Sequence, residues 1–220
     1  MISPDMLTRK SGAKHLGAPA RDFRVFVEES KSAEAKEKFI FRKRFRMKKL
    51  EEYVRSIPDF PEEGIIFRDV TSVLQDAEGL HLAVDTMQEK VKDLEFDVVA
   101  GPESRGFIFG TPIAYNMRKP FVLIRKKGKL PCETVEISYD LEYGQATIEM
   151  HKDSIKPGQK VLIVDDLIAT GGTTEAMIKL VEQLGGEVVG VVVLIELAGL
   201  NGREKIKGYR LDSAICYEGK

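Results

Sequence analysis

The 220-residue chain lacks long apolar runs: none approaches a membrane span, and the N-terminus has no apolar signal-peptide core. Membrane insertion is therefore not expected. Cysteine and histidine are scarce. Cys132 and Cys216 make no metal or redox spacing, which suits a reducing cytoplasm. His15, His81 and His151 are scattered, so no histidine metal centre is read from them. There is no internal repeat. A net charge of one sign is missing too, at −1 overall, but the charges are unevenly spread. Residues 1–46 carry 12 Lys+Arg and 6 Asp+Glu, against 22 and 29 from Met47 onward. The tail is thus about +6 and the body about −7, which argues against general nucleic-acid binding by the body. What is present is apolar material enough, at 43% hydrophobic residues, to bury one sizeable core.

The stretch from Val161 to Thr174 organises the chain. Val161-Leu162-Ile163-Val164, introduced by the turn Lys156-Pro157-Gly158, reads as a strand buried on both faces. The run is expected to stop at Asp165-Asp166, at the C-terminal edge where open α/β sheets bind ligands. Ala169-Thr170-Gly171-Gly172-Thr173-Thr174 then supplies small residues, glycines and hydroxyls ahead of a helix. That helix is read from Met177, Leu180, Val181 and Leu184, with Gly185-Gly186 as its stop. Backbone N–H groups at such a turn, and the positive end of the helix, favour a dianionic phosphate. Two adjacent buried carboxylates repel unless a cation or a hydrogen-bonding ligand joins them. The stretch is read as a phosphate cradle beside a diol or metal anchor.

The rest of the chain repeats this pattern. Residues 1–46 are expected to be an N-terminal extension, disordered or non-native, since Met47 opens the recognisable domain; the rival readings are a basic arm for RNA or DNA and a targeting segment, although acidic residues among the first 37 argue against a transit peptide. Met47–Ile57 reads as an amphipathic helix with Leu50, Tyr53, Val54 and Ile57 on one face. Ile57 to Val70, rich in proline and holding Gly64, is a fixed irregular segment that puts Phe67 beside Arg68. Leu80, Ala83, Val84, Met87 and Val91 mark another helix, and Phe96–Ala100 a buried strand ending at Gly101-Pro102-Glu103-Ser104-Arg105-Gly106. Pro120–Ile124 is a third buried strand, followed by Arg125, Lys126, Lys127 and Lys129. Residues 131–141 look like a mobile polar loop suited to a lid. Residues 145–150 alternate as a half-exposed strand, Glu187–Ile195 is a buried strand, and Leu211–Tyr217 a short closing one. Alternating strands and helices of this kind make a parallel sheet flanked by helices.

The string Val-Leu-Ile-Val-Asp-Asp-Leu-Ile-Ala-Thr-Gly-Gly-Thr resembles the 5-phosphoribosyl-1-pyrophosphate (PRPP) motif of the type I phosphoribosyltransferases, in the form its adenine-specific branch carries. Similarity extends from Met47 to about Tyr217. It implies an α/β type I phosphoribosyltransferase fold over residues 47–220, a mainly parallel central sheet with a small hood at about residues 47–70. The implied reaction is displacement of pyrophosphate from PRPP by adenine, giving AMP, with Mg²⁺ held mainly by PRPP and water near Asp165 and Asp166. In that reading PRPP is bound by Asp165, Asp166, Ala169, Thr170, Gly171, Gly172, Thr173, Thr174, Ser104, Arg105, Arg125, Lys126 and Lys129. Adenine is bound by Ile66, Phe67, Arg68 and Leu167. Glu142, in Leu-Glu-Tyr-Gly, is the implied general acid/base, with Arg105, Asp165 and Asp166 completing the catalytic set. A cytoplasmic homodimer is implied, without nucleic-acid or membrane partners. Two rivals stand beside this reading: a phosphoribosyltransferase for another base, and a PRPP-sensing purine repressor using the basic N-terminus on DNA. The role of Glu103 is left open, and Asn201-Gly202-Arg203-Glu204-Lys205 resembles the family's C-terminal Leu-Lys-Gly-Arg-Glu-Lys pattern, the alternative being a purely structural segment.

Overall fold

The computed structural model describes residues 48–140 and 144–219; the extension over residues 1–46, Met47 and Glu142 lie outside the described residues. Two strands, β1 (Arg55–Pro58) and β2 (Ile66–Asp69), pair antiparallel as a small hood, with Ile57 opposite Phe67. The amphipathic helix expected over residues 47–57 does not form. Leu50–Tyr53 makes one 3₁₀ turn and the chain then extends into β1. Leu50 and Val54 are buried as the pattern requires, but pairing with β2 and the bias of Pro58 against a helical Ile57 win over helical spacing.

Seven further strands form one sheet among the described residues. They are β3 (Val98–Pro102), β4 (Phe121–Lys126), β5 (Thr134–Asp140), β6 (Gln145–His151), β7 (Lys160–Ile168), β8 (Glu187–Leu197) and β9 (Leu211–Tyr217), in the order β5-β6-β4-β3-β7-β8-β9. The run β4-β3-β7-β8-β9 is parallel, and β6 and β5 add on antiparallel. Three helices flank it: α1 (Ala77–Lys90), α2 (Arg105–Asn116) and α3 (Gly172–Gln183). Asp76 caps α1 by accepting from the backbone N–H groups of Glu78 and Gly79. The alternation of side chains along β7 separates two cores. Leu162 and Val164 pack with Met87, Phe109 and Ile113 of α1 and α2, whereas Val161 and Ile163 pack with Met177, Leu180 and Val181 of α3.

Several expectations need correction. Thr134–Asp140, within the loop expected over residues 131–141, is strand: Val135, Ile137 and Tyr139 alternate inward on β5, each packed on the α3-side core, and β5 pairs along its length with β6. That period-two pattern is a strand signal that the polar residues between them obscure. β6 is less exposed than its alternation suggests, because Glu149 is buried beside Ile148 and Met150. β4 is not buried throughout: Leu123 is 40% exposed, and the strand continues through Arg125 and Lys126. Nor does β7 stop at the acid pair. It runs to Ile168, with Asp165 opposite Val193 and Ile168 opposite Glu196 on β8. Only on its other flank does pairing end early, where Ile163 stands opposite Ala100 of β3.

Candidate active site

That one-sided pairing makes the site. The chain leaves β3 for β4 on one side and β7 for β8 on the other, so β3/β7 is the topological switch point. Beyond Ile163, β7 has no β3 partner, and Asp165 and Asp166 stand at the opening. They are 7% and 5% exposed. The Asp166 N–H donates to Asp165 Oδ1 at 2.8 Å. Asp166 turns toward α2, where Arg105 Nε lies 2.6 Å from its Oδ2. That contact is close but not aligned as a hydrogen bond, so the buried Oδ2 has an ion partner and no directed donor among the described residues. Burial pushes both carboxyls up from the usual range. Asp165 rises furthest because the charge of Asp166 adds to burial, while Arg105 pulls Asp166 part of the way back.

The phosphate turn follows at once. Gly171 takes φ 82° as the cap of α3, a conformation that suits glycine, and Gly172, Thr173 and Thr174 form the first helical turn. Thr173 Oγ1 donates to the Tyr139 hydroxyl at 3.1 Å, so β5 stands over this helix end. A side chain built on Gly172 would come within 3.6 Å of the Asp140 carbonyl oxygen. Tyr139 is thus a site neighbour that sequence reasoning missed; the alternation Val135, Ile137, Tyr139 was the signal available for it.

The second turn, Gly101 to Gly106, joins β3 to α2 and includes a cis Glu103–Ser104 peptide bond. Ser104 and Arg105 are exposed at the helix start. Glu103, whose role was open, grips Arg125: Nε to Oε2 and a terminal nitrogen to Oε1 are both 3.1 Å. Arg125 donates also to the Lys129 carbonyl at 2.9 Å. The Arg125 guanidinium holds the Glu103 carboxyl below its usual range. Arg125 is therefore engaged within the protein, whereas Lys126 and Lys129 have exposed side chains; Lys127 pairs with Glu136 at 2.8 Å. Buried Glu149 fixes the basic turn from beneath, accepting from the backbone N–H groups of Lys129 and Leu130 at 2.8 Å each. Burial works to raise its carboxyl, but the backbone donors of Leu130, Gly128 and Lys129 together hold it low.

In the hood, Phe67 is half-buried and meets Phe60 edge-to-face at 5.3 Å, while Ile66 is 40% exposed. Phe67 is therefore not a core residue. Arg68 lies 3.9 Å over the ring of Tyr217 and donates to the Ser56 hydroxyl, which ties the hood to the end of β9. Asp69, at the hood's base, is held low first by the Thr71 hydroxyl, with Arg55 and Arg105 contributing. Leu167 is half-buried at the end of β7. The structure thus gathers the acid pair, both Gly-rich turns and the basic turn at one sheet edge. A cavity of about 530 Å³ lies at the opposite edge, lined by Phe96, Met117, Lys119 and Lys160, and includes none of these residues.

The phosphoribosyl transferase domain profile matches residues 70–220. The chain belongs to the phosphoribosyltransferase family, on its adenine phosphoribosyltransferase branch. It is 74% identical over 174 residues to the adenine phosphoribosyltransferase of Lachnoclostridium phytofermentans, covering 79% of this chain and 100% of that one. The Agathobacter rectalis enzyme of the same name is 66% identical over the same shares. Among solved structures, adenine phosphoribosyltransferase from Thermoanaerobacter pseudethanolicus superposes with a TM-score of 0.74 at 48% identity, over 76% of this chain and 98% of that one. The Saccharomyces cerevisiae enzyme, complexed with an imino-altritol bisphosphate and adenine, gives 0.70 at 36% identity, over 75% and 96%. The central sheet with flanking helices is the fold of these phosphoribosyltransferase structures.

A carboxyl whose folded pKa is raised stabilises the fold below its unfolded pKa and loses that contribution as pH rises through the folded value. Asp165→Asn, without Mg²⁺ or PRPP, is expected to be more stable than the wild type at neutral pH by about 0.5–2 kcal/mol. The gain should vanish as pH falls into the ordinary carboxylate range. Denaturant unfolding at several pH values measures this, and a variant less stable at neutral pH would contradict it.

Proposed function

We propose that this chain transfers the 5-phosphoribosyl group of PRPP to adenine, giving AMP and pyrophosphate in purine salvage. The observation that carries the reading is the buried Asp165–Asp166 pair flanked by a helix-capped Gly/Thr turn and by Arg105. Backbone N–H groups of Ala169 to Thr174 and the N-terminus of α3 hold the 5′-phosphate, which orients C1′. Asp165 and Asp166 accept from the ribose hydroxyls and face the developing ribosyl cation. Negative charge grows on the leaving pyrophosphate, and Ser104, Arg105, Arg125, Lys126 and Lys129 supply donors for it. Phe67 stacks on the purine, Ile66 offers backbone polar groups to its edge, Leu167 lines the base site, and Arg68 secures the hood. Glu142 exchanges a proton with the purine ring.

Mg²⁺ fits this donor set as a substrate-borne ion. Among the described residues no three His, Cys, Asp or Glu converge as a cage, whereas Asp166 Oδ2 is a buried oxygen without a directed donor. Mg²⁺ keeps several waters and binds phosphates through one or two carboxylates, so Asp165 and Asp166 would hold its water shell. When bound, it neutralises charge on the pyrophosphate. The reading includes a cytoplasmic homodimer. Two free, exposed cysteines suit a reducing compartment, and among the described residues no helix is long and apolar enough to cross a membrane. Support for a second copy comes from Ile108 and Tyr115, two turns apart on α2 and 39% and 82% exposed, together with Leu123 on β4.

With Mg²⁺ and PRPP, pyrophosphate release is expected with adenine and not with hypoxanthine, guanine or xanthine. Release with one of the other bases alone would replace the substrate. In the same assay Glu142→Gln should lower kcat by about 10²–10⁴. Phe67→Ala should weaken adenine by about 1–3 kcal/mol, read as its KM. An unchanged kcat, or an unchanged KM for adenine, removes the corresponding role. In sedimentation the protein should run as a dimer and Tyr115→Glu should shift it toward monomer; a monomeric wild type removes the dimer.

A further inference from the structure

The segment Asn201-Gly202-Arg203 lies behind the phosphate turn. A Cβ on Gly202 would fall 2.2 Å from the Ala169 carbonyl oxygen and 3.0 Å from the Gly171 nitrogen. In the other direction, a Cβ on Gly171 would fall 2.5 Å from the Gly202 carbonyl oxygen. The two backbones touch, with no space for a side chain between them. Asn201 enters this contact at φ 55°, so the approach of Gly202 is set by local geometry and by whatever anchors the next residue.

That anchor is Arg203. Its Nε and a terminal nitrogen fork onto Glu196 at 2.9 and 2.6 Å, and its remaining nitrogen donates to the Leu211 carbonyl at 2.9 Å. Ser213 donates to Glu196 Oε2 at 3.0 Å, completing the carboxylate's shell. Glu196 is 5% exposed and stands opposite Ile168, the last residue of β7 before the turn. One buried carboxylate therefore references both sides of the turn: its strand pairs with the residue that opens it, and its side chain holds the segment that backs it.

We propose that the Arg203–Glu196 pair is a positioning device for the phosphate turn, setting the height of the Ala169 to Thr174 N–H groups by pressing Gly202 against Ala169 and Gly171. The inference rests on the reading of that turn as the 5′-phosphate site. Both are positioning residues and neither touches substrate. A planar guanidinium that forks on a carboxylate fixes distance and orientation together, which an ammonium cannot do. Small displacements matter here because N–H groups aimed at a phosphate lose strength steeply with distance and angle.

The test compares Arg203→Lys and Glu196→Gln with Thr173→Ala in the turn itself, measuring KM for PRPP, KM for adenine, kcat and thermal midpoint. Arg203→Lys and Glu196→Gln are each expected to raise KM for PRPP by about tenfold or more while KM for adenine stays nearly constant. Thr173→Ala should also raise KM for PRPP. If it does and the two clamp variants do not, positioning is overturned while the phosphate site stands. If all three leave KM for PRPP unchanged, the phosphate reading fails and the inference with it. A lowered thermal midpoint without the split between substrates marks a merely structural role and likewise overturns positioning. Arg203→Lys keeps charge and stem, so it carries the test should Glu196→Gln fail to fold.

Discussion

The structure depends on a mismatch in strand pairing. β7 stays bonded to β8 as far as Ile168, but its bonds to β3 end at Ile163. A parallel strand supported on one flank projects into the crevice where the chain's connections diverge, and its backbone stays rigid while its side chains lose neighbours. Asp165 and Asp166 occupy that projection. In mid-sheet two adjacent carboxylates would have no remedy for their desolvation and repulsion; on a loop they would relax into water. Here they are held buried, close together and only partly compensated by Arg105.

Three guanidinium–carboxylate pairs then join the pieces around this projection: Arg105 with Asp166, Arg125 with Glu103, and Arg203 with Glu196. Each links a turn to a strand or to another turn. Two of them fork, Arg125 on Glu103 and Arg203 on Glu196, and a fork fixes where a loop sits; Arg105 reaches Asp166 through Nε alone. Engagement also limits the free charge. Arg125 already gives two nitrogens to Glu103 and one to the Lys129 carbonyl, so an anion that reaches it must compete for donors already in use. Lys126 and Lys129, with exposed side chains, carry the positive charge facing solvent.

Much of this was legible where the information is local. Four apolar residues, two acids and a Gly/Thr run within fourteen positions place a strand, an anchor and a helix cap without reference to the rest of the chain. What failed was non-local. Leu50, Tyr53 and Val54 follow helical spacing and do face the core, yet their segment becomes a 3₁₀ turn and a strand because residues 66–69 offer a pairing partner. Val135, Ile137 and Tyr139 form a strand since β6 lies beside them, although the charged residues nearby suggested a loop. The partners of Glu103 and Thr173 are 22 and 34 positions away, and nothing in local chemistry points from one to the other. Arg203 and Glu196 are seven apart, but an intervening turn hides their meeting.

Close backbone approach is the remaining condition. A Cβ on Gly101 would lie 2.9 Å from the Val164 carbonyl oxygen, and one on Gly106 3.0 Å from the same atom. Both ends of the β3–α2 turn therefore rest against β7 at the residue before the acid pair. With larger residues there, α2 would begin farther out by the thickness of a methyl group at least, and Arg105 Nε would lose its 2.6 Å approach to Asp166. The same economy of space recurs at Gly171 and Gly202 behind the phosphate turn. Charge pairing and glycine contacts are thus one constraint: the arginines can orient the turns only because the backbones beneath them touch.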